Sequence, residues 1–148
     1  MKNLLIGLCI LLCSELTFAS GSSAQESANV ALVREMWAEY AEKLDNSKFD
    51  IYFSKNFQLV DNNELEDYEK FKKEQEVTYK KLKSLKVVSI DDLFAKDDKV
   101  AGRVAIKLSS KNGRVQTYYV IFIAAIKDKK IDKIWEVTYP NWNDKLLS

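Results

Sequence analysis

The sequence predicts an α+β domain, with helices first and an antiparallel sheet after them. Three observations carry this. Apolar residues recur every three or four positions over 27–44 and again over about 63–85, the period of an amphipathic helix. From Lys86 the period falls to two and stays there to Tyr139, with no further helical stretch. Short polar turns then divide the second half into four strands that pair as hairpins.

Taken in order, Ser27 to Leu44 is the first helix, with Val30, Val33, Trp37, Tyr40, Ala41 and Leu44 on its apolar face and Ser27 as N-cap. Lys48 to Phe53 forms a short second helix whose aromatic residues plug one end of the core. Asn56 to Asp61 is a short strand, ended by Asp61-Asn62-Asn63. Asn63 caps the long helix, with Glu66 three residues on as in a capping box, and that helix runs to about Leu85. The four strands are roughly Lys86–Ala95, Lys99–Ser109, Arg114–Ile126 and Lys130–Tyr139. The turns between them are Lys96-Asp97-Asp98, Lys111-Asn112-Gly113-Arg114 and Lys127-Asp128-Lys129. Asn-Gly in the second is a strong hairpin signal, and Pro140 stops the last strand.

With 148 residues the chain suits one domain with a real core. Its 23 Lys+Arg stand against 22 Asp+Glu, a balance that gives no reason to expect nucleic acid or an acidic membrane surface as partner. The N-terminus reads as a cleaved secretory signal: Lys2, an apolar run from Leu4 to Cys13, and the small residue Ala19. That run is far short of the roughly 20 residues needed to span a bilayer, so no stable membrane insertion is expected after cleavage. Cleavage is expected after Ala19, with Ala24 as second choice. Lipidation would use Cys13, but Leu12 is large for the position before a lipidated cysteine. The chain thus divides into a signal (1–19), a flexible tract (20–26), a domain (27–143) and a tail (144–148), and a periplasmic or secreted location is expected.

Both cysteines, Cys9 and Cys13, lie in the signal, and there is no histidine. The mature domain therefore has no disulfide, no thiolate nucleophile and no histidine base. No metal or cofactor is expected, because a zinc site would have to be built from carboxylates alone.

The order of elements, together with Phe57-Gln58-Leu59-Val60-Asp61 and the late run Ala124-Ala125-Ile126-Lys127-Asp128-Lys129-Lys130-Ile131 followed by Trp135-Glu136-Val137, resembles the NTF2-like or SnoaL-like superfamily. The resemblance covers about Ser27 to Asn143. It implies a cone in which N-terminal helices pack on a curved antiparallel β-sheet around an internal pocket. Two departures stand out. Lys129 replaces a usual turn glycine, and Tyr139-Pro140 replaces an acidic residue often found after the Trp strand.

In such a cone Trp37, Tyr40, Tyr118 or Tyr119, and Trp135 are expected to face the cavity and bind a small apolar ligand. The alternative is that they are core residues. The resemblance to ketosteroid isomerases of the superfamily implies Asp61 as a proton-shuttling base and Tyr40 as its electrophilic partner. A carboxylate in an apolar cone has its pKa raised, which suits that work. Asp-Asn-Asn is equally a turn and cap sequence. Glu136 and Arg103 are further polar candidates on the sheet. In the last strand Ile131, Trp135, Val137 and Tyr139 share one parity and Asp132, Glu136 and Thr138 the other. The expectation is that Trp135 lines the cone and that the hairpin over 115–139 carries no catalytic group. The apolar strand Tyr118–Ile126 needs cover on both faces, which points to a homodimer through the sheet; the alternative cover is the segment Asn141–Ser148. Three functions follow: a ligand-binding domain, an isomerase, cyclase or dehydratase, or a protein-interaction module using the sheet face.

Overall fold

The computed structural model describes residues 18–140. The rest of the expected signal, with Cys9 and Cys13, and the C-terminal stretch 141–148 lie outside the described residues. Helix α1 (Phe18–Glu35) continues into a wider π turn, Met36–Ala41. In that turn the Glu42 amide donates to the Trp37 carbonyl, five residues back, at 2.9 Å. The wider turn sets Met36, Tyr40 and Ala41 on one buried face.

The helix starts earlier than its apolar period suggests. It runs back through residues 20–26, where Ala24, Gln25 and Glu26 are good helix formers. Ser27 lies inside it, its hydroxyl donating to the Ser23 carbonyl at 2.8 Å, so Ser27 is not the cap. Asn29 explains the docking of this segment. It is buried, and its amide donates to the Asp97 carbonyl at 3.2 Å in the Asp97-Asp98 turn, while Glu26 accepts from the Asp97 amide at 3.1 Å.

A 3-10 turn (Asn46–Lys48) and α2 (Phe49–Tyr52) lead into β1 (Phe53–Asp61). As the sequence predicts, α2 plugs one end of the core with aromatic rings. Phe49 and Phe53 stack at 4.6 Å, Phe53 meets Phe57 edge-on at 4.7 Å, and Phe71 lies 5.2 Å from Phe57. Truncating one such ring costs about 3–5 kcal/mol. Outside the plug, the Asp50 carboxylate accepts from the Tyr68 hydroxyl, from Lys55 at 3.0 Å and from Lys72 at 3.1 Å, tying α2 to its neighbours.

The segment after Asp61 departs from expectation. Asn62 and Asn63 both adopt left-handed backbone, φ 46° and 72°, as the primed hairpin turn requires. Asparagine tolerates that conformation better than most residues. Residues Glu64–Asp67 therefore form a strand, β2, paired antiparallel with β1, and Asn63 caps nothing. The next helix, α3 (Tyr68–Lys81), is capped by Asp67, whose side chain accepts from the Lys70 amide at 2.9 Å. It ends at Lys81, and Leu82 and Leu85 belong to the following strand.

Strands β3 (Leu82–Lys96), β4 (Lys99–Ser110), β5 (Val115–Lys127) and β6 (Lys130–Tyr139) form the expected meander. The six strands run in the order β2-β1-β6-β5-β4-β3. One pairing corrects the expected all-antiparallel sheet: β1 and β6 are parallel, with Val60 beside Trp135 and Asp61 beside Glu136. The sheet is thus mixed. Register shifts at three places along β3–β4, and one between Ala125 and Ile126, bend it around the helices. Gly102 sits where the bend is tight: a Cβ there would stand 2.8 Å from Leu93 Cδ1 and 3.4 Å from Phe122 Cζ. Among the described residues no helix is long and apolar enough to cross a membrane.

Candidate functional site

The concave side of the sheet, the π turn and α3 enclose a cavity of about 180 Å³. Met36, Trp37 and Tyr40 reach it from the π turn, Leu59 and Asp61 from β1, and Glu66 from β2. Phe71, Glu74, Gln75, Thr78 and Tyr79 come from α3, and Ile134, Glu136 and Thr138 from β6. The walls are aromatic and aliphatic, the carboxylates gather on the β2-β1-β6 side, and no lysine or arginine lines the space.

Strand pairing explains the grouping. Asp61 and Glu136 are direct neighbours across β1 and β6, Phe122 is opposite Glu136, and Gly102 is opposite Phe122. They form one row across the concave face, because paired residues point to the same side. Trp37 covers this row, its ring 6.5 Å from that of Phe122. Glu66 sits beside Leu59, one step along.

Two polar atoms in the cavity wall are buried and have no hydrogen-bond partner among the described residues: Asp61 Oδ1 and Trp37 Nε1. Burial raises the Asp61 carboxyl above its ordinary value, and the charge of Glu64 adds to this. Glu136 is half-buried and lines the cavity. Burial pushes its carboxyl up to about 8, with further contributions from the negative charges of Asp61 and Glu66. Glu66 is also raised, first by burial and then by Glu74, although Lys70 pairs with it at 3.3 Å. At neutral pH Glu136 therefore holds its proton. Among the described residues no group of three His, Cys, Asp or Glu side chains is placed to hold a metal ion.

The expected site residues divide. Trp37, Tyr40 and Asp61 do line the cavity. Asp61 neither caps a helix nor turns outward. Tyr40 lies deep against Phe53 and Tyr79, its hydroxyl 3.4 Å from Asn46 Oδ1. Burial, then the neighbouring Tyr79, raises its pKa, so it stays a hydrogen-bond donor. Tyr118 is buried on the concave face beyond the cavity wall. Tyr119 and Trp135 correct the expectation, since both are on the outer face, 49% and 38% exposed. The Lys133 ammonium sits 4.9 Å above the Trp135 ring.

The reason is parity. With β6 held parallel to β1, Ile134, Glu136 and Thr138 point inward, and Trp135, Val137 and Tyr139 point out. The 115–139 hairpin thus does bring an acid, Glu136, into the cavity. Arg103 lies on the outer face beside Asp91 and Asp92, at 3.6 and 3.8 Å. Glu66 was hidden from sequence reasoning because it fits a capping box. The tandem Asn62-Asn63 is the signal that could have exposed it.

No protein-family model matches the sequence, and no curated protein sequence matches it. Solved structures do match in three dimensions. AclR from Streptomyces galilaeus superposes with a TM-score of 0.67 at 18% identity, covering 76% of this chain and 79% of its own. A protein described as a SnoaL-like polyketide cyclase, from Jannaschia sp., gives 0.64 at 13%, covering 77% and 87%. An LEH-like epoxide hydrolase from M. tuberculosis gives 0.67 at 9%, covering 77% and 84%. At such identities the likeness is one of fold, and chemistry must be argued from residues.

Proposed function

We propose that this chain, whose fold is the NTF2-like, SnoaL-like cone, is an exported domain that binds a small, mainly apolar molecule with one polar end. The observation that carries the reading is the pair of buried, unpartnered atoms, Asp61 Oδ1 and Trp37 Nε1, in the wall of an aromatic-lined cavity. Leaving such groups without partners costs about 1–3 kcal/mol each, which an occupant with a donor and an acceptor recovers. Export rests on Lys2, the apolar run to Cys13 and Ala19. The test is to purify the protein from its native compartment, extract it under denaturing conditions and analyse the extract by mass spectrometry. A stoichiometric small molecule, absent from a Trp37→Ala, Asp61→Ala variant, is the expected result. A protein that yields none, and whose crystal structure holds only water between Trp37 and Asp61, contradicts it.

A second reading is favoured by the Asp61–Glu136 neighbours. In an isomerase, cyclase or dehydratase, Asp61 takes a proton from the substrate while Tyr40, or protonated Glu136, donates to its oxygen. The outer face supports a further expectation. Ile121, Val137 and Tyr139 are 61%, 58% and 72% exposed beside Trp135, and a second copy of the chain packed sheet to sheet gives them cover.

A further inference from the structure

We infer that the polar end of the cavity's occupant is a cationic nitrogen, an ammonium group held between Asp61 and Glu136 with the Trp37 ring against it. This rests on the reading of the cavity as a binding site and names the ligand class.

Charge balance comes first. Asp61, Glu66 and Glu136 all line one cavity, and among the described residues only Glu66 of these three has a cation beside it, Lys70 at 3.3 Å. The other charged groups that face the row are also acidic: Glu64 across β1–β2 and Glu74 from α3. The phenols of Tyr40 and Tyr79 are neutral donors. A buried carboxylate without a counter-charge is costly, so the space favours a cation, tolerates a neutral molecule and rejects an anion.

The walls point the same way. Trp37, Phe53, Phe71, Tyr40 and Tyr79 present ring surface, and aromatic faces attract cations, Trp most strongly. The lone Asp61 Oδ1 asks for a donor, which an ammonium supplies in several directions. The Trp37 N–H asks for an acceptor, which a hydroxyl or carbonyl oxygen near the ammonium meets. Cavities of roughly 150 Å³ admit a benzene ring, so a single-ring amine fits the volume here.

A cation bound in this row has a measurable consequence. Without an occupant, Glu136 holds its proton at neutral pH. With an ammonium between Asp61 and Glu136 both carboxylates are favoured in ionised form, so binding releases a proton to the buffer.

The experiment is isothermal titration calorimetry of the full chain at neutral pH with three probes of one shape: 2-phenylethylamine, 2-phenylethanol and phenylacetate. Each is run in two buffers of different ionisation enthalpy. The amine is expected to bind at least about tenfold tighter than the alcohol, with phenylacetate not binding. Amine binding, and not alcohol binding, should give a heat that depends on the buffer. Glu136→Gln should abolish that dependence and weaken the amine about tenfold. Because the proton release is read on the unaltered chain, a misfolded variant does not decide the outcome. Equal affinity for amine and alcohol, or no proton release, overturns the inference and leaves the binding reading standing. Failure of all three probes counts against both.

Discussion

Along β5 and β6 the two faces of the sheet are furnished in opposite ways. Phe122 is buried on the concave side, while its neighbour Ile121 is 61% exposed. Glu136 faces the cavity, while its neighbours Trp135 and Val137 look outward. In an ordinary half-buried strand the carboxylate is outside and the Trp inside. Strand β6 reverses this. An acid turned inward requires a hollow rather than a filled core, and a Trp turned outward marks a surface suited to contact. The same strand thus lines a cavity on one side and leaves apolar side chains exposed on the other.

The contrast can be broken or sharpened by substitution. The largest effect is expected at the concave face: Phe122→Ala should cost about 3–5 kcal/mol in denaturant unfolding. Ile121→Ala at low protein concentration should stay within about 0.5 kcal/mol. Equal costs for the two would mean that the outer face is packed within the single chain.

Next in size is Glu136→Gln, which acts with pH. The folded carboxyl titrates at about 8 and the unfolded one near its ordinary value, so the folded state holds the extra proton between them. The stability linked to Glu136 is fully present below the unfolded value and is lost as pH rises towards about 8. Glu136→Gln should therefore be close to neutral in acid and stabilising by several kcal/mol above the folded pKa. Thermal melts of both proteins across that range check it; a constant difference would remove the buried acid from the account.

Asp67→Ala tests the turn that carries Glu66 inward. Loss of the cap on α3 should cost about 1 kcal/mol, whereas Asn63→Ala should remove only a left-handed turn residue and no cap. The smallest stability effect belongs to the outer face. Trp135→Glu should change unfolding by less than about 0.5 kcal/mol, yet abolish any self-association seen by sedimentation.

Much of the fold was legible because it is local. The switch of period at Lys86, the Asn112-Gly113 turn and the aromatic run around Phe49 and Phe53 act between near neighbours in sequence. What was not legible depends on distant partners. Nothing in 130–139 itself says that β6 lies parallel to β1, and that pairing decides which parity faces in. Trp135 and Tyr119 were expected in the pocket because large rings usually turn inward; here the cavity takes Glu136 and Thr138 instead. Asn62-Asn63 serves equally as cap or as left-handed turn, and choosing the cap hid both β2 and Glu66. Asp61, Trp37 and Tyr40 were found because strand end and helix face are local properties and the family resemblance implies that those positions meet at the cone's cavity. The π turn that aims Trp37 and adds Met36 was not, since an i+5 bond leaves no mark in an apolar spacing that α-helix also explains.

The central claim is that the concave face holds an acid pair without a counter-charge. Carboxyl-carbon NMR titration of uniformly labelled protein tests it most directly, because each glutamate reports its own midpoint. The account predicts that Glu136 titrates at about 8, well apart from the exposed glutamates, and that the midpoint falls in Asp61→Asn. A Glu136 midpoint among the exposed glutamates, unmoved by Asp61→Asn, would contradict it.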